Sequence, residues 1–325
     1  MQVIRGLENY TAPTDRGVVV TIGTFDGIHL GHQEILKQVA VATGESGYHP
    51  VLITFHPHPR VLVTPDDAPL LLTTLEEKER SLRQYFQGTM LVLDFNADLQ
   101  NLSAREFVEK VLVNRLELKR LVVGYDHAFG KDRSGSIVEL KELGKEFEFE
   151  VDVVAPVKVD GDCVSSTQIR WLLRRGMLDR ALELLGHPLA IHGIVEKGIG
   201  LGRKLGYPTA NVRYGPRKLL PTQGVYSCRV QVGDTKREGM LFIGRNHFNP
   251  EARITVEANL FDFDEDIYER ELFVYPTHYI RPNRKFESTE ALVEQIKQDK
   301  REVLNIIEKE KRNVSDQRAE SSNYL

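Results

Sequence analysis

The chain has 325 residues of ordinary globular composition and a formal net charge of −4. That length accommodates two domains of roughly 100–200 residues each. The slightly acidic balance gives no sign of a nucleic-acid partner and requires any anionic ligand to be held by local donors. Cys163 and Cys228 stand alone, without a C-x-x-C motif, which fits a reducing compartment. No apolar run is long enough to span a bilayer and MQVIRGLENY lacks a signal-peptide apolar core, so the expectation is a cytoplasmic protein without membrane association.

Residues 1–17 read as a short edge strand and a polar loop. Val18, Val19, Val20 and Ile22 then predict a buried strand ending at Gly23. The loop Thr24-Phe25-Asp26-Gly27-Ile28 leads to His29-Leu30-Gly31-His32, and the following QEILKQVAVA has helical periodicity. A strand, a glycine-bearing turn and a helix N-terminus make an anion site, because unpaired backbone N–H groups and the positive end of the helix dipole point at it. The two histidines add donors that can follow negative charge as it moves. The pattern is neither G-x-x-x-x-G-K-[ST] nor G-x-G-x-x-G.

VLITF (51–55) is a second strand running into the proline-broken loop His56-Pro57-His58-Pro59-Arg60, which is expected to form part of a ligand wall. A third ligand for a metal is not evident there. Leu75–Phe86 is read as a helix and Met90–Leu93 as a strand. Ser103-x-x-Glu106 is a capping box opening REFVEKVLVNRL. LVVGYD (121–126) is a strand, Ile137–Phe147 a helix and FEVDVVAPV a strand. This alternation predicts a parallel, doubly wound α/β sheet with ligands gathered at the carboxyl ends of its strands. The segment 124–135, GYDHAFGKDRSG, places Asp126 and Arg133 at such an end. Ser165-Ser166-Thr167-Gln168-Ile169-Arg170 opens the helix WLLRRGMLDRALELLG, and three consecutive hydroxyls before Arg170 suggest a phosphate at a second helix start.

Gly186-His187-Pro188 marks a boundary. Beyond it, strands separated by turns predict a small antiparallel β-barrel, followed by an amphipathic helix over 288–311 capped by Ser288 or Thr289. The domains are therefore drawn at 1–186 and 187–311, with 312–325 a polar tail expected to be disordered. In KGIGLGRKLGYPTAN (197–211), Gly198, Gly200, Gly202 and Gly206 give a loop whose N–H groups could close over phosphates. Thr209 and Asn211 fall on one face of an extended segment and offer oxygens suited to Mg²⁺ carrying nucleotide phosphates. Alternation in ITVEANLFDF puts Glu257 on the face opposite Ile254, Val256 and Ala258. Beside Thr209 and Asn211 it becomes a candidate base.

The H-x-G-H after a strand resembles the signature of the nucleotidyltransferase superfamily. G-T-F-D-G-I-H-L-G-H, F-H-P-H-P-R, G-Y-D-H-A-F-G-K-D-R-S-G and S-S-T-Q-I-R, in this order, resemble the FMN adenylyltransferase module of bacterial bifunctional riboflavin kinase/FAD synthetase. K-G-x-G-x-G-R-x-L-G-Y-P-T-A-N, G-V-Y-S at 224–227 and V-E-A-N-L-F-D-F-D-E-D-I-Y resemble its riboflavin kinase module. The resemblance covers about residues 15–310. It implies ATP- and Mg²⁺-dependent conversion of riboflavin to FMN in the barrel and of FMN to FAD in the α/β domain. His29, His32 and Glu257 are then catalytic. Gly23, Thr24, Phe25, Asp26, Gly27, Ser165, Ser166, Thr167 and Arg170 shape the adenylyltransferase nucleotide site, while Arg60, Asp126 and Arg133 lie toward the flavin. Departures are His127 and Ala128, where the family often has an aromatic and an arginine, the segment Gly244–Asn249, and Glu269 in place of a common glycine. Two other readings are an adenylyltransferase for another phosphorylated substrate, and a flavin-binding sensor with an inactive kinase domain.

Overall fold

The computed structural model describes residues 1–12, 16–127, 130, 135–245 and 254–322, with side chains to 313. The chain forms two compact units: Met1–Ile169 with Leu184–Gly186, and Arg170–Glu183 with His187–Leu325.

In the first unit, β1 (Gln2–Arg5), β2 (Val18–Ile22), β3 (His49–His56), β4 (Thr89–Asp94), β5 (Leu118–Gly124) and β6 (Glu150–Val154) form one sheet in the order β1-β4-β3-β2-β5-β6. Every pair is parallel. All five residues of β2 are buried, because both faces of the sheet are covered. Val18, Val20 and Ile22 point into one core with Ile53, Leu91 and Leu121, while Val19 points into the other with Leu36, Leu52 and Val122. The period of two in a continuous apolar run is what a doubly covered parallel strand requires. The strand order reverses between β2 and β5. The crevice outside their carboxyl ends is the switch point where ligands of such sheets bind.

The hairpin β7 (Lys158–Val159) and β8 (Asp162–Cys163) precedes the helix Ser166–Arg174. One helix was expected over WLLRRGMLDRALELLG (171–186), opened by residues 165–170. Two are found, Ser166–Arg174 and Leu178–Leu185, because the chain turns left-handed at Gly176, with φ 76°.

In the second unit, β9 (Ile191–Glu196), β10 (Ala210–Tyr214), β11 (Gly224–Val232), β12 (Thr235–Gly244), β13 (Thr255–Leu260) and β14 (Glu271–Pro282) close into a barrel in the order β10-β13-β12-β11-β14-β9, all pairs antiparallel. Strand β10 was not expected as a strand, since its residues follow directly on a Gly- and Pro-rich loop. The terminal helix runs Thr289–Ser322, continuing through most of the segment read as a disordered tail. Neither glycine nor proline occurs between 289 and 322, so nothing local stops the helix. Val303 and Ile307 pack on Met240 and Phe261. Arg281 makes a bidentate ion pair with Asp299, of which the carboxylate side chain is 4% exposed.

Candidate active sites

The turn between β2 and the helix Leu30–Ser46 lies at the carboxyl end of β2. Phe25, Gly27 and Ile28 all have positive φ, at 46°, 88° and 43°. For the two non-glycine residues this costs roughly 1–3 kcal/mol each and persists only where the surroundings enforce it. His29 is the N-cap, and its Nδ1 accepts from the His32 backbone N–H at 3.4 Å. An accepting Nδ1 leaves Nε2 as the protonated nitrogen of the neutral ring. The His32 ring stacks on that of His29 at 3.7 Å between centroids, 18° from parallel. A Cβ on Gly31 would stand 3.2 Å from the His29 ring, which is why the residue between the histidines is small. His32 Nδ1 is enclosed and has no hydrogen-bond partner among the described residues. Desolvation, then the neighbouring His29 and Lys78, hold the His32 pKa well below 6.5, so its ring is neutral. An orphaned ring nitrogen at a helix N-terminus is suited to a ligand that brings its own polar atoms.

The turn is held from below by a segment that sequence reading passed over. Asp26 is buried and accepts from the backbone N–H of Leu72 and Thr73 at 3.0 and 2.8 Å, and from Thr73 Oγ1 at 3.1 Å. Gly27 N–H donates to Thr73 Oγ1. Lys78 is buried, and its Nζ donates to the Thr24 carbonyl at 2.6 Å and to Thr54 Oγ1 at 3.1 Å. Asp26 therefore anchors the turn. Thr73 and Lys78 carried no sequence signal beyond a capping box, Thr74 with Glu77.

At the second helix start, Ser165 Oγ accepts from Gln168 N–H, so its own proton remains to be donated. Ser166 Oγ donates to the Asp26 carbonyl at 2.8 Å and so ties this helix to the turn. Thr167 is exposed, and Arg170 is buried one turn further along. Asp126 is exposed in the turn after β5, at the switch point. Arg60 pairs with Asp67 on the surface. Arg133 lies outside the described residues, as do Ala128 and Asn246–Asn249.

In the barrel, β10 pairs with β13 so that Asn211 stands directly opposite Glu257. Thr209 Oγ1 lies 3.3 Å from Glu257 Oε2, and Thr255 Oγ1 lies 3.2 Å from Oε1. Pro208 is held by Asn259, whose side chain donates to its carbonyl. The hydroxyl, amide and carboxylate named from spacing are thus assembled at one place. The loop before them contains a single helical turn, Leu201–Lys204, with Gly200 and Gly206 at φ 69° and 81°. Gly198 packs against the Asn211 side chain and Gly202 against the Tyr207 carbonyl. Glu269 sits at φ 61°, the conformation a glycine would adopt without strain. Among the described residues, no group of three or more His, Cys, Asp or Glu could hold an ion. The hydroxyl of Thr209 and the amide oxygen of Asn211 instead suit Mg²⁺ in the way it is held when phosphates supply most of its ligands.

Residues 11–168 match the family model of FAD synthetase, and residues 185–307 that of riboflavin kinase. The chain is 39% identical over 300 residues to the bifunctional riboflavin kinase/FMN adenylyltransferase of Pseudomonas fluorescens, covering 92% of this chain and 96% of that one. The chain belongs to the bifunctional riboflavin kinase/FMN adenylyltransferase family. The Listeria monocytogenes member is 34% identical over 291 residues, covering 89% of this chain and 92% of its own. A crystal structure described as a macrolide-efflux protein from Streptococcus pneumoniae superposes with a TM-score of 0.83 at 33% identity, over 94% of this chain and 99% of that one. No helix among the described residues is long and apolar enough to cross a membrane. As a bifunctional riboflavin kinase/FMN adenylyltransferase, the chain is a kinase and a nucleotidyltransferase of FMN and FAD biosynthesis. Strands β2 to β6 of the parallel sheet fall within the FAD synthetase match, and the barrel falls within the riboflavin kinase match.

Proposed function

We propose that the two reactions are divided between two separately assembled clusters. His29 and His32 serve adenylyl transfer, and Thr209, Asn211 and Glu257 serve riboflavin phosphorylation. The observation that carries this reading is that each cluster lies wholly within one compact unit.

In the barrel, the riboflavin 5′-hydroxyl attacks the γ-phosphorus of ATP, the bond to ADP breaks, and Glu257 accepts the hydroxyl proton. Thr209 and Thr255 hold the two carboxylate oxygens, so the base meets the substrate in a fixed orientation. Thr209 and Asn211 are the residues that would hold Mg²⁺. Bound there with the nucleotide, Mg²⁺ would offset the charge of the phosphates. The glycine loop supplies backbone N–H donors to those phosphates.

In the α/β unit, an oxygen of the FMN phosphate attacks the α-phosphorus of a second ATP, and pyrophosphate leaves as FAD forms. The neutral imidazoles donate hydrogen bonds to oxygens that gain charge in the transition state, a role whose removal typically costs ~10²–10³ in rate per donor. Ser165 and Thr167 hydroxyls and the N–H groups of the first turn of Leu30–Ser46 bind phosphate oxygens. Asp126, in the turn after β5, is assigned to the flavin side of the site.

A chromatographic time course with riboflavin, ATP and Mg²⁺ tests the division. Wild-type protein is expected to give FMN and then FAD. His29→Ala is expected to accumulate FMN without FAD. Glu257→Gln is expected to make FAD only when FMN is supplied. Loss of both activities in either variant would refute the division.

A further inference from the structure

The turn that carries the two histidines is left-handed at three of four successive positions, Phe25, Gly27 and Ile28, and a β-branched residue such as Ile is poorly suited to that conformation. Something must hold it. Gly27 N–H and the Asp26 carboxylate are tied to Leu72 and Thr73, and the Ile28 carbonyl accepts from Gln33 at 2.9 Å. At the N-terminal end of the turn, the Thr24 carbonyl accepts from Lys78 Nζ at 2.6 Å and from Thr54 Oγ1 at 3.2 Å. Lys78 belongs to the helix Leu75–Leu82, whose other charged residues except Glu77 are not buried. An ammonium carried into the interior is unfavourable unless it is paired and hydrogen-bonded, and a methionine, one atom shorter, would fill most of the space without a charge. The charge is therefore the informative feature.

We propose that Lys78 is a positioning residue for adenylyl transfer: its buried ammonium, by holding the Thr24 carbonyl, fixes the left-handed turn that sets His29 and His32 at the mouth of the switch-point crevice. This rests on the reading of those histidines as the adenylyl-transfer centre. Lys78 reaches no substrate itself. It acts through the turn and through its field, which helps to keep His32 uncharged. Its surroundings are mixed. Asp26 on the turn favours its charge, His32 faces it from the helix Leu30–Ser46, and His56 and His58 share with it the lining of a cavity of about 20 Å³, room for a single water.

Burial pulls the Lys78 pKa down to about 8, and Asp26 only partly offsets this. His32 is held uncharged well below that pH. Lys78 loses its charge as the pH rises past about 8, and the turn is expected to loosen there.

The test measures both reactions of the full-length protein. In Lys78→Met, kcat for FAD formation is expected to fall by about one to two orders of magnitude, the loss that a small misplacement of reacting groups produces. KM for FMN and ATP is expected to stay within about threefold, with riboflavin phosphorylation unchanged. A second readout needs no variant: wild-type FAD formation falls with an alkaline limb near pH 8 that riboflavin phosphorylation by the same chain lacks, and residual Lys78→Met activity has lost that limb. If Lys78→Met fails to fold, the wild-type profile decides alone. A wild-type FAD profile that is flat from about pH 7 to about 10 overturns the proposal, as does a Lys78→Met kcat within about twofold of wild type. His29→Ala, measured alongside, separates the two readings. If it retains FAD formation, the site itself is wrong. If it is inactive while Lys78→Met is normal, only the role of Lys78 is wrong.

Discussion

An imidazole enclosed beside a second imidazole and a buried lysine stays neutral, and this has a consequence for stability as well as for chemistry. Desolvation is the largest cause of the lowered His32 pKa, followed by His29 and Lys78. Between that lowered value and the ordinary 6.5, the unfolded chain binds a proton that the folded chain does not. The slope of stability with pH is then positive in this window. The stability is fully present above pH 6.5 and declines as the pH falls below it. Urea midpoints of the adenylyltransferase unit are accordingly expected to drop on going from about pH 7 to about 5.5, and His32→Gln is expected to flatten that slope. An unchanged slope in the variant would mean that another group governs the acid limb. His49, lowered by burial alone, is the competing group.

Within elements, the parts legible from sequence were those encoded locally. β2, the turn and the helix Leu30–Ser46 are contiguous, so apolar periodicity and the histidine spacing disclosed them together. Glu257 showed its face by alternation along β13, since Val256 and Ala258 are buried beside it. The parts that could not be read depend on pairing. Nothing in LEEKERSL says that Glu77 and Lys78 turn inward, and the partners of Asp26 lie 46 and 47 residues away. The opposition of Asn211 and Glu257 is likewise a register between two strands, one of which was read only as an extended segment after a Gly- and Pro-rich loop. That register makes Gly198 testable. A Cβ there would fall 2.3 Å from Asn211 Nδ2 and 2.8 Å from its Oδ1. The obstacle is the end of a side chain and not backbone, so the amide can turn aside and the fold can survive. Gly198→Ala is therefore expected to raise KM for ATP in riboflavin phosphorylation by about an order of magnitude, with thermal stability nearly unchanged. Steady-state kinetics at varied ATP measure this, and an unaltered KM would show that Asn211 has no part in holding the nucleotide.

At the scale of the whole chain, two cores of different construction are present. One is a parallel sheet packed on both faces, and the other a closed barrel with the helix Thr289–Ser322 laid on it through Val303 and Ile307. The helix is fastened to the barrel by Arg281, whose guanidinium meets both oxygens of Asp299 at 2.7–3.1 Å while Gln295 donates to the same carboxylate. Both ion-pair partners are largely shielded from water. Removing one leaves the other as an uncompensated buried charge, at a cost of about 3–5 kcal/mol. Asp299→Ala is thus expected to lower the unfolding temperature of the barrel by roughly 10 °C or more, since about 1 kcal/mol shifts the midpoint of a domain of this size by several degrees. The adenylyltransferase unit contains none of the residues involved. In calorimetry the variant is expected to show one transition displaced and one in place. At temperatures between them, it should still convert supplied FMN to FAD while phosphorylation of riboflavin has ceased. A single transition that shifts as a whole, with both activities lost together, would show instead that the two cores unfold as one cooperative body.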